Sequence, residues 1–424
     1  MLNRTKAPLF SPVEFISLPE IEKLELPNGL EIYIANFADQ DIIKVELVLE
    51  GGSGRSDLPG LPVLFSKMLI GGTAKRTATQ IVEDFDQYGG FIEVGQKVES
   101  MNITLYGLRR FLSQYLETLF EVLDEASFPE DELVSQKDNA QNALDLNMEK
   151  SSFLASRAYK ALIFGETHPY GRAFESEDID VVQREDLFAF YARFVKEKAF
   201  KIFVSGKVGH EEVEVLTKFF GQRPFEQVEA EVLTFDALPP QRKLIERADS
   251  MQSTLRMGKL TVGRRHPDFF KMMVCNTVFG GFFGSRLMKN IREKKGFTYG
   301  ISSSVSPIQD IGFYAIGSDV IKAHTLDTLK EIEMEAKKLQ EEKVSDDELD
   351  LVKNYLSGSF AGSITTAFEI MDRHRNLVLY KLPQDFYNTF VDHIRAVSKE
   401  DVQEMAQKYL DIQSMSEVIV GERI

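Results

Sequence analysis

Gly60-Leu61-Pro62-Val63-Leu64-Phe65-Ser66-Lys67-Met68-Leu69-Ile70-Gly71-Gly72-Thr73 decides how this chain is read. Pro62 suits the first turn of a helix, where the N–H it lacks would have no intrahelical acceptor. Leu61, Leu64, Phe65, Met68 and Leu69 recur at i, i+3, i+4, i+7 and i+8, which predicts one apolar helix face. Val63, Ser66 and Lys67 fall at i, i+3 and i+4 on a different face.

Outward from this helix, the chain repeats itself. Tyr88-Gly89-Gly90 opens an alternating stretch that includes 101–106; a helical pattern over 112–123 follows, and Pro129-Glu130-Asp131-Glu132-Leu133 starts another helix. In the second half Thr298-Tyr299-Gly300 opens alternation, Gly312-Phe313-Tyr314-Ala315-Ile316 continues it, and a helix is predicted over about 326–339. Ser345-Asp346-Asp347-Glu348-Leu349 then opens a further helix, its Leu349 lying 216 residues after Leu133. That offset is about half of the 424 residues, so one strand–strand–helix–helix unit is predicted to occur twice. Further strands are expected at 30–34, after the Asn28-Gly29 turn, and at 45–49. The acidic, proline-flanked, aperiodic stretch 224–240 reads as a linker. The expected organisation is a domain over 1–223, a linker over 224–240 and a second domain over 241–424. The fold class is α+β, two homologous α/β sandwich domains. The clusters Gly51-Gly52-Ser53-Gly54 and Gly280-Gly281 lack the Lys-Ser/Thr of a phosphate loop and are expected to be turns.

Charge and composition narrow the function. Fifty basic against 66 acidic residues give a net charge of −16, which argues against nucleic acid as a partner. No apolar run is long enough to span a membrane, and the first twelve residues, broken by Pro8 and Pro12, do not read as a signal peptide. A cytoplasmic location is the expectation. The single Cys275 excludes an internal disulfide and any multi-cysteine metal site. The six histidines include no pair at metal-ligand spacing on one helix.

The stretch 60–73 resembles the signature helix of the pitrilysin/insulinase family of zinc metallopeptidases, which includes the mitochondrial processing peptidase. The family pattern is Gly-Leu-Ala-His-x-x-Glu-His-Met-Leu-x-x-Gly-Thr, and Gly60, Leu61, Met68, Leu69, Gly72 and Thr73 match it. In the family, two His one turn apart hold zinc and the Glu between them is the general base. Those positions are Val63, Ser66 and Lys67 here, and Lys67 puts an ammonium where the dication belongs. The third family ligand, a Glu 76 residues beyond the second His, corresponds to Ala143, and a further family acid to Gln136. The resemblance therefore implies a degenerate site that holds no metal. His168-Pro169-Tyr170-Gly171-Arg172 also matches a family segment and is expected to be structural. On the strand after Tyr88-Gly89-Gly90, Glu93 stands where the family usually has Asn.

The second half keeps what the first has lost. Ser285-Arg286-Leu287, then Arg292-Glu293-Lys294-Lys295-Gly296 and Tyr299, strongly resemble the second family signature, Ser-Arg-Leu-x-x-x-x-Arg-Glu-x-x-Gly-x-x-Tyr. Ser285 is expected to cap a helix that Gly296 closes. In the family the Arg and Tyr, seven residues apart, bind the substrate carbonyl and the developing oxyanion. Arg292 and Tyr299 keep both types and the spacing. A guanidinium and a neutral phenol are suitable donors for such charge. Read without the resemblance, Arg292 is a solvated helix residue among lysines and Tyr299 an ordinary strand residue.

The resemblance implies a non-catalytic subunit, inactive alone and without a cofactor of its own. It would lend Arg292 and Tyr299 to a homologous subunit that carries the zinc, with a peptide or unfolded protein as substrate. A homodimer in isolation is compatible with this. The alternative is a catalytically inactive scaffold or peptide-binding protein of the same fold. Phe282-Phe283-Gly284 runs directly into Ser285 without the long glycine-rich loop of the processing peptidase's non-catalytic subunit, which argues against a mitochondrial role.

Overall fold

The computed structural model describes residues 11–229, 233–247 and 249–422. Contacts divide the chain into two units. The N-terminal unit comprises Glu20–Pro239 with Thr366–Arg375; the C-terminal unit comprises Pro240–Thr365, Asn376–Ile424 and the N-terminal stretch ending at Pro19.

The N-terminal unit is built on β1 (Glu22–Glu25), β2 (Glu31–Asn36), β3 (Ile42–Leu49), β4 (Phe91–Gln96), β5 (Met101–Leu108) and β6 (Phe200–Gly206). They form one sheet in the order β1-β2-β6-β3-β5-β4. β2 and β6 run parallel, whereas β6–β3, β3–β5 and β5–β4 are antiparallel. The C-terminal unit uses β7 (Arg242–Glu246), β8 (Gln252–Val262), β9 (Thr298–Ile308), β10 (Ile311–Ile321) and β11 (Ser416–Gly421), in the order β7-β11-β8-β10-β9. Here β7 and β11 are parallel and the other three pairings antiparallel. With β1 set aside, the two sheets share one topology. In each, the first strand pairs in parallel with the last, the last with the second, the second with the fourth and the fourth with the third.

The helices repeat as well. After β5 a 3₁₀ turn, Arg109–Phe111, leads into helices Leu112–Glu125 and Glu130–Met148. After β10 the turn Lys322–His324 leads into Thr325–Glu341 and Asp346–Gly362. The α+β class with two homologous sandwich domains is thus the observed one. Each unit has its own apolar core, formed between helices and the inward side chains of the sheet. In the first, Ile43, Val45 and Leu47 of β3 meet Leu61, Leu64, Phe65 and Met68 of helix Leu61–Met68. Burial at alternate strand positions and at helical spacing supplies the main driving force, roughly 1.5–3 kcal/mol per fully buried large aliphatic side chain.

The units differ in extent from domains cut at 1–223 and 241–424, because three segments pack where sequence order does not suggest. The segment before Pro19 belongs with the C-terminal unit: Arg395 donates to the Val13 carbonyl, and the Leu18 N–H donates to Asn388. Residues 366–375 belong with the N-terminal unit, where Arg375 and Asp372 meet Glu46 and Lys44 of β3. The described part of 224–240 is seated up to Pro239 on the N-terminal unit. There the Ala199 N–H donates to the Glu226 carbonyl and Phe235 packs on His168. Residues 230–232 of that stretch, and 1–10 of the N-terminal segment, lie outside the described residues.

Candidate functional site

The Leu61–Met68 helix presents the faces its sequence dictates. Leu61, Leu64, Phe65 and Met68 are buried, and the Phe65 ring packs against Phe128 and Phe190 with centroids 5.8 and 4.8 Å away. Val63 is half-buried, Ser66 is buried and Lys67 is exposed. The Ser66 hydroxyl turns back to donate to the Val63 carbonyl at 2.9 Å, so it is engaged by its own helix. The helix packs against Glu130–Met148, which carries Gln136 and Ala143. Ala143 is exposed, and the Gln136 amide donates to Glu132 at 2.7 Å. No group of three His, Cys, Asp or Glu able to hold a metal ion occurs among the described residues. Chemically the outcome rests on residue type: an aliphatic, a helix-bonded hydroxyl, an ammonium and a methyl supply no ligand set for zinc.

His168 has a structural setting. Its Nε2 lies 3.1 Å from the Thr234 carbonyl, its Nδ1 accepts from the Tyr170 N–H, and its ring packs on Phe164 and Phe235. Burial lowers its pKa, an effect that the hydrogen bond to Thr234 only partly offsets. Glu93 is exposed on β4, an edge strand of its sheet.

The second signature forms a more unusual structure. The Gly280-Gly281 pair, expected as a turn, instead lies in a π-helical segment, Thr277–Gly281. Its glycine is required by close packing: a Cβ on Gly280 would sit 2.4 Å from Ser303 Oγ of β9. A second π-helical segment, Met288–Lys294, carries Arg292. There the Lys295 N–H donates to the Asn290 carbonyl five residues back. Gly296, at φ 68°, closes the segment as expected. Ser285 does not cap it. It stands just before the helical residue Arg286, and its carbonyl accepts from the Lys289 N–H, but its hydroxyl is buried without a hydrogen-bond partner. π-helical turns are rare and recur at functional sites.

The two arginines of this signature have different fates. Arg286 makes a bidentate pair with Glu348, at 2.9 and 2.8 Å, which ties the segment to helix Asp346–Gly362. The Arg292 guanidinium has no hydrogen bond or ion pair among the described residues and lies 4.6 Å over the ring of Phe283.

Tyr299 sits at a β-bulge. Thr298 pairs with Val320 and Ile301 with Ser318, so Tyr299 and Gly300 together oppose the single residue Asp319. Hydroxyl groups hold the bulge: Thr298 Oγ1 accepts from the Gly300 N–H at 3.0 Å and donates to the Asp319 carbonyl at 2.6 Å. Ser318 Oγ donates to the Gly300 carbonyl at 2.9 Å. Bulges re-aim side chains and are enriched beside active sites. This one leaves Tyr299 91% exposed on β9, the edge strand, with no hydrogen bond from its phenol among the described residues. The structure thus brings Arg292 and Tyr299 to one packed pair of elements, since the Met288–Lys294 segment packs on β9. Phe283, Thr298 and Ser318 support them and were not singled out from sequence. Phe283 offers the one local signal, an aromatic residue next to the Gly-Ser that opens the helix.

Comparison with known proteins bears on the family and the fold. The family model described as Insulinase (Peptidase family M16) matches residues 32–167, and that described as Peptidase M16 inactive domain matches 182–356. The chain is 22% identical over 396 residues to the uncharacterized zinc protease YmxG of Bacillus subtilis (strain 168), covering 92% of this chain and 95% of that protein. It is 23% identical over 385 residues to the non-peptidase homolog YmxG of Helicobacter pylori, covering 89% of each. Among solved structures, the peptidase M16 inactive domain from Pseudomonas fluorescens superposes with a TM-score of 0.87 at 23% identity, covering 96% of this chain and 99% of that one. A protease from Helicobacter pylori superposes with a TM-score of 0.84 at 16% identity, covering 96% and 100%. The twofold sheet topology, the altered 60–73 helix and the two matching family models converge: this chain belongs to the insulinase family of peptidases, M16.

Proposed function

We propose that this chain is the non-catalytic subunit of a heterodimeric zinc metallopeptidase, and that Arg292 and Tyr299 complete a site whose zinc is held by a homologous partner. One observation carries the reading. A π-helical segment and a hydroxyl-bound bulge hold out a guanidinium and a phenol that make no hydrogen bond or ion pair among the described residues. Both are donors, and donors fixed in advance toward a carbonyl oxygen stabilise the charge that develops there. The partner's zinc would polarise the water. This chain's own residues would bind the peptide carbonyl and the oxyanion, while Val63, Ser66, Lys67 and Ala143 take no chemical part.

The substrate class is a peptide or an unfolded segment. β4 and β9 are edge strands with one open side each, able to add an extended chain by backbone hydrogen bonds. No helix among the described residues is long and apolar enough to cross a membrane. The single Cys275 is buried and leaves no internal disulfide to form, in keeping with a cytoplasmic site of action. The test is reconstitution with a zinc-bearing homologue from the same genome. Co-elution on gel filtration, with hydrolysis that neither chain shows alone, supports the reading. Failure of the two to associate, or a partner fully active alone, sinks it in favour of the inactive scaffold.

A further inference from the structure

A cavity of about 610 Å³ lies within the C-terminal unit, apart from Arg292 and Tyr299. Two turns and three helices line it, the third being Lys399–Tyr409, which carries Asp401. After β8, residues 264–267 turn into helix Phe269–Asn276, and residues 381–383 lead on from helix Ala367–Leu379 toward helix Phe390–Ala396. Its size is that of a small-molecule site.

The lining reverses the charge of the molecule. In a chain of net charge −16, the cavity gathers Arg264, Arg265, Lys271 and Lys381, with His266 and His393, against one carboxylate, Asp401. Asp401 is already committed: it pairs with Lys271 at 2.6 Å and accepts from the Ser398 hydroxyl and N–H. Arg265 is paired with Asp310. That leaves two cations without a carboxylate. Arg264 lies 4.6 Å over the Tyr380 ring and, among the described residues, its guanidinium donates only to the Pro307 carbonyl. Lys381 is exposed, has no partner among the described residues, and is held in the left-handed region at φ 50°. A non-glycine residue held there is uncommon and merits a reason. Beside these cations stands a flat wall: His393 stacks on Phe270 at 4.5 Å and 10°, and Phe386 lies 5.2 Å from Phe270.

We infer that this cavity binds a small organic anion that carries one flat ring. Arg264 and Lys381 meet the anionic head, and the Phe270–His393 stack and Phe386 pack the ring. Neither half of the ligand suffices, since an exposed cation alone holds a phosphate weakly and the ring alone leaves the cations unanswered. The inference stands on the cavity itself and is independent of the zinc-partner reading.

The probes are phenyl phosphate, benzyl alcohol as the ring without charge, and inorganic phosphate as the charge without a ring. Titration of the intact chain is followed calorimetrically and by protein-detected NMR. Phenyl phosphate is expected to bind one per chain with a Kd at or below about 1 mM, and each half-probe at least about tenfold more weakly. Lys381→Asn, which tolerates the left-handed conformation, and Arg264→Gln each remove one cation. Both are expected to weaken phenyl phosphate about tenfold, the loss of one charge-assisted hydrogen bond. Unsaturable phenyl phosphate binding to the unaltered chain overturns the inference before any variant is made. Equal binding of inorganic phosphate, or unchanged affinity in both variants, also overturns it.

Discussion

The Arg292 guanidinium lies 4.6 Å above the centre of the Phe283 ring, nine residues before it in the chain. Phe283 is 64% exposed, so burial does not account for its place; the ring supports the cation. A cation–π contact at an exposed site contributes about 0.5–1 kcal/mol. Phe283→Leu is therefore expected to lower the activity of a reconstituted complex about two- to fivefold, with Phe283→Tyr restoring it and complex formation unchanged. An unaltered rate in Phe283→Leu would show that the ring does not position Arg292.

The bulge should be equally dependent on Thr298. Removing its hydroxyl by Thr298→Val takes away the acceptor of the Gly300 N–H and the donor to the Asp319 carbonyl. The expected cost is about 1–3 kcal/mol of stability, read from urea unfolding, with Tyr299 losing its fixed direction. A variant as stable as the parent would mean that backbone pairing alone sets the bulge.

Much of the fold was legible because it rests on local pattern. Pro62 and the spacing of Leu61, Leu64, Phe65 and Met68 dictate a helix and its buried face, and Leu133 and Leu349 announce the repeat. The bulge was not legible, because it is fixed by Thr298 acting with Ser318, twenty residues away on another strand. Nor were the π-helical turns, since a five-residue hydrogen-bond step leaves no mark in an apolar pattern of i+3 and i+4. Val13 and Arg375 went astray for a related reason. Each is held by a partner more than 300 residues distant, Arg395 and Glu46, and no periodicity records such a contact.

Buried charge makes a third prediction. Glu46 accepts from Arg375 at 2.5 Å and from Asn102, with Lys44 at 3.5 Å, and its side chain is almost wholly buried. Burial alone would raise the Glu46 carboxyl pKa, but the Arg375 and Lys44 charges outweigh it and hold the carboxyl below its usual range. For Lys44, burial works to lower the pKa, and Glu46 and Asp372 outweigh it to raise it. A lowered carboxyl contributes stability that is present above the unfolded carboxylate pKa and is lost as pH falls through the folded value. A raised ammonium contributes stability that is present below its unfolded pKa and is lost as pH rises through the folded one. Stability is therefore expected to hold across neutral pH and fall at the acid end. Glu46→Gln, which leaves Arg375 and Lys44 only the half-exposed Asp372 as a charge partner, should cost about 3 kcal/mol at pH 7 and flatten the acid limb of the melting profile. A variant that melts with the parent at both pH 7 and pH 4 would contradict this account.

The altered helix gives a fourth. After gel filtration in zinc-containing buffer and brief exchange, elemental analysis is expected to find far less than one zinc per chain. The expectation rests on Val63, Lys67 and Ala143 at the positions where the family binds metal, and on Ser66 at that of its general base. Near-equimolar zinc removable by a chelator would refute it.

The central claim is that Arg292 and Tyr299 act on a partner's substrate, and turnover of a fluorogenic peptide by reconstituted complexes measures it directly. Fixed oxyanion donors contribute roughly 10²–10³ in rate. Arg292→Ala and Tyr299→Phe are each expected to lower turnover by about that factor while the complex still elutes as one species, and Lys67→Ala should leave it unchanged. Full activity in both the Arg292 and the Tyr299 variants would contradict the account and leave an inactive scaffold as the reading of this chain.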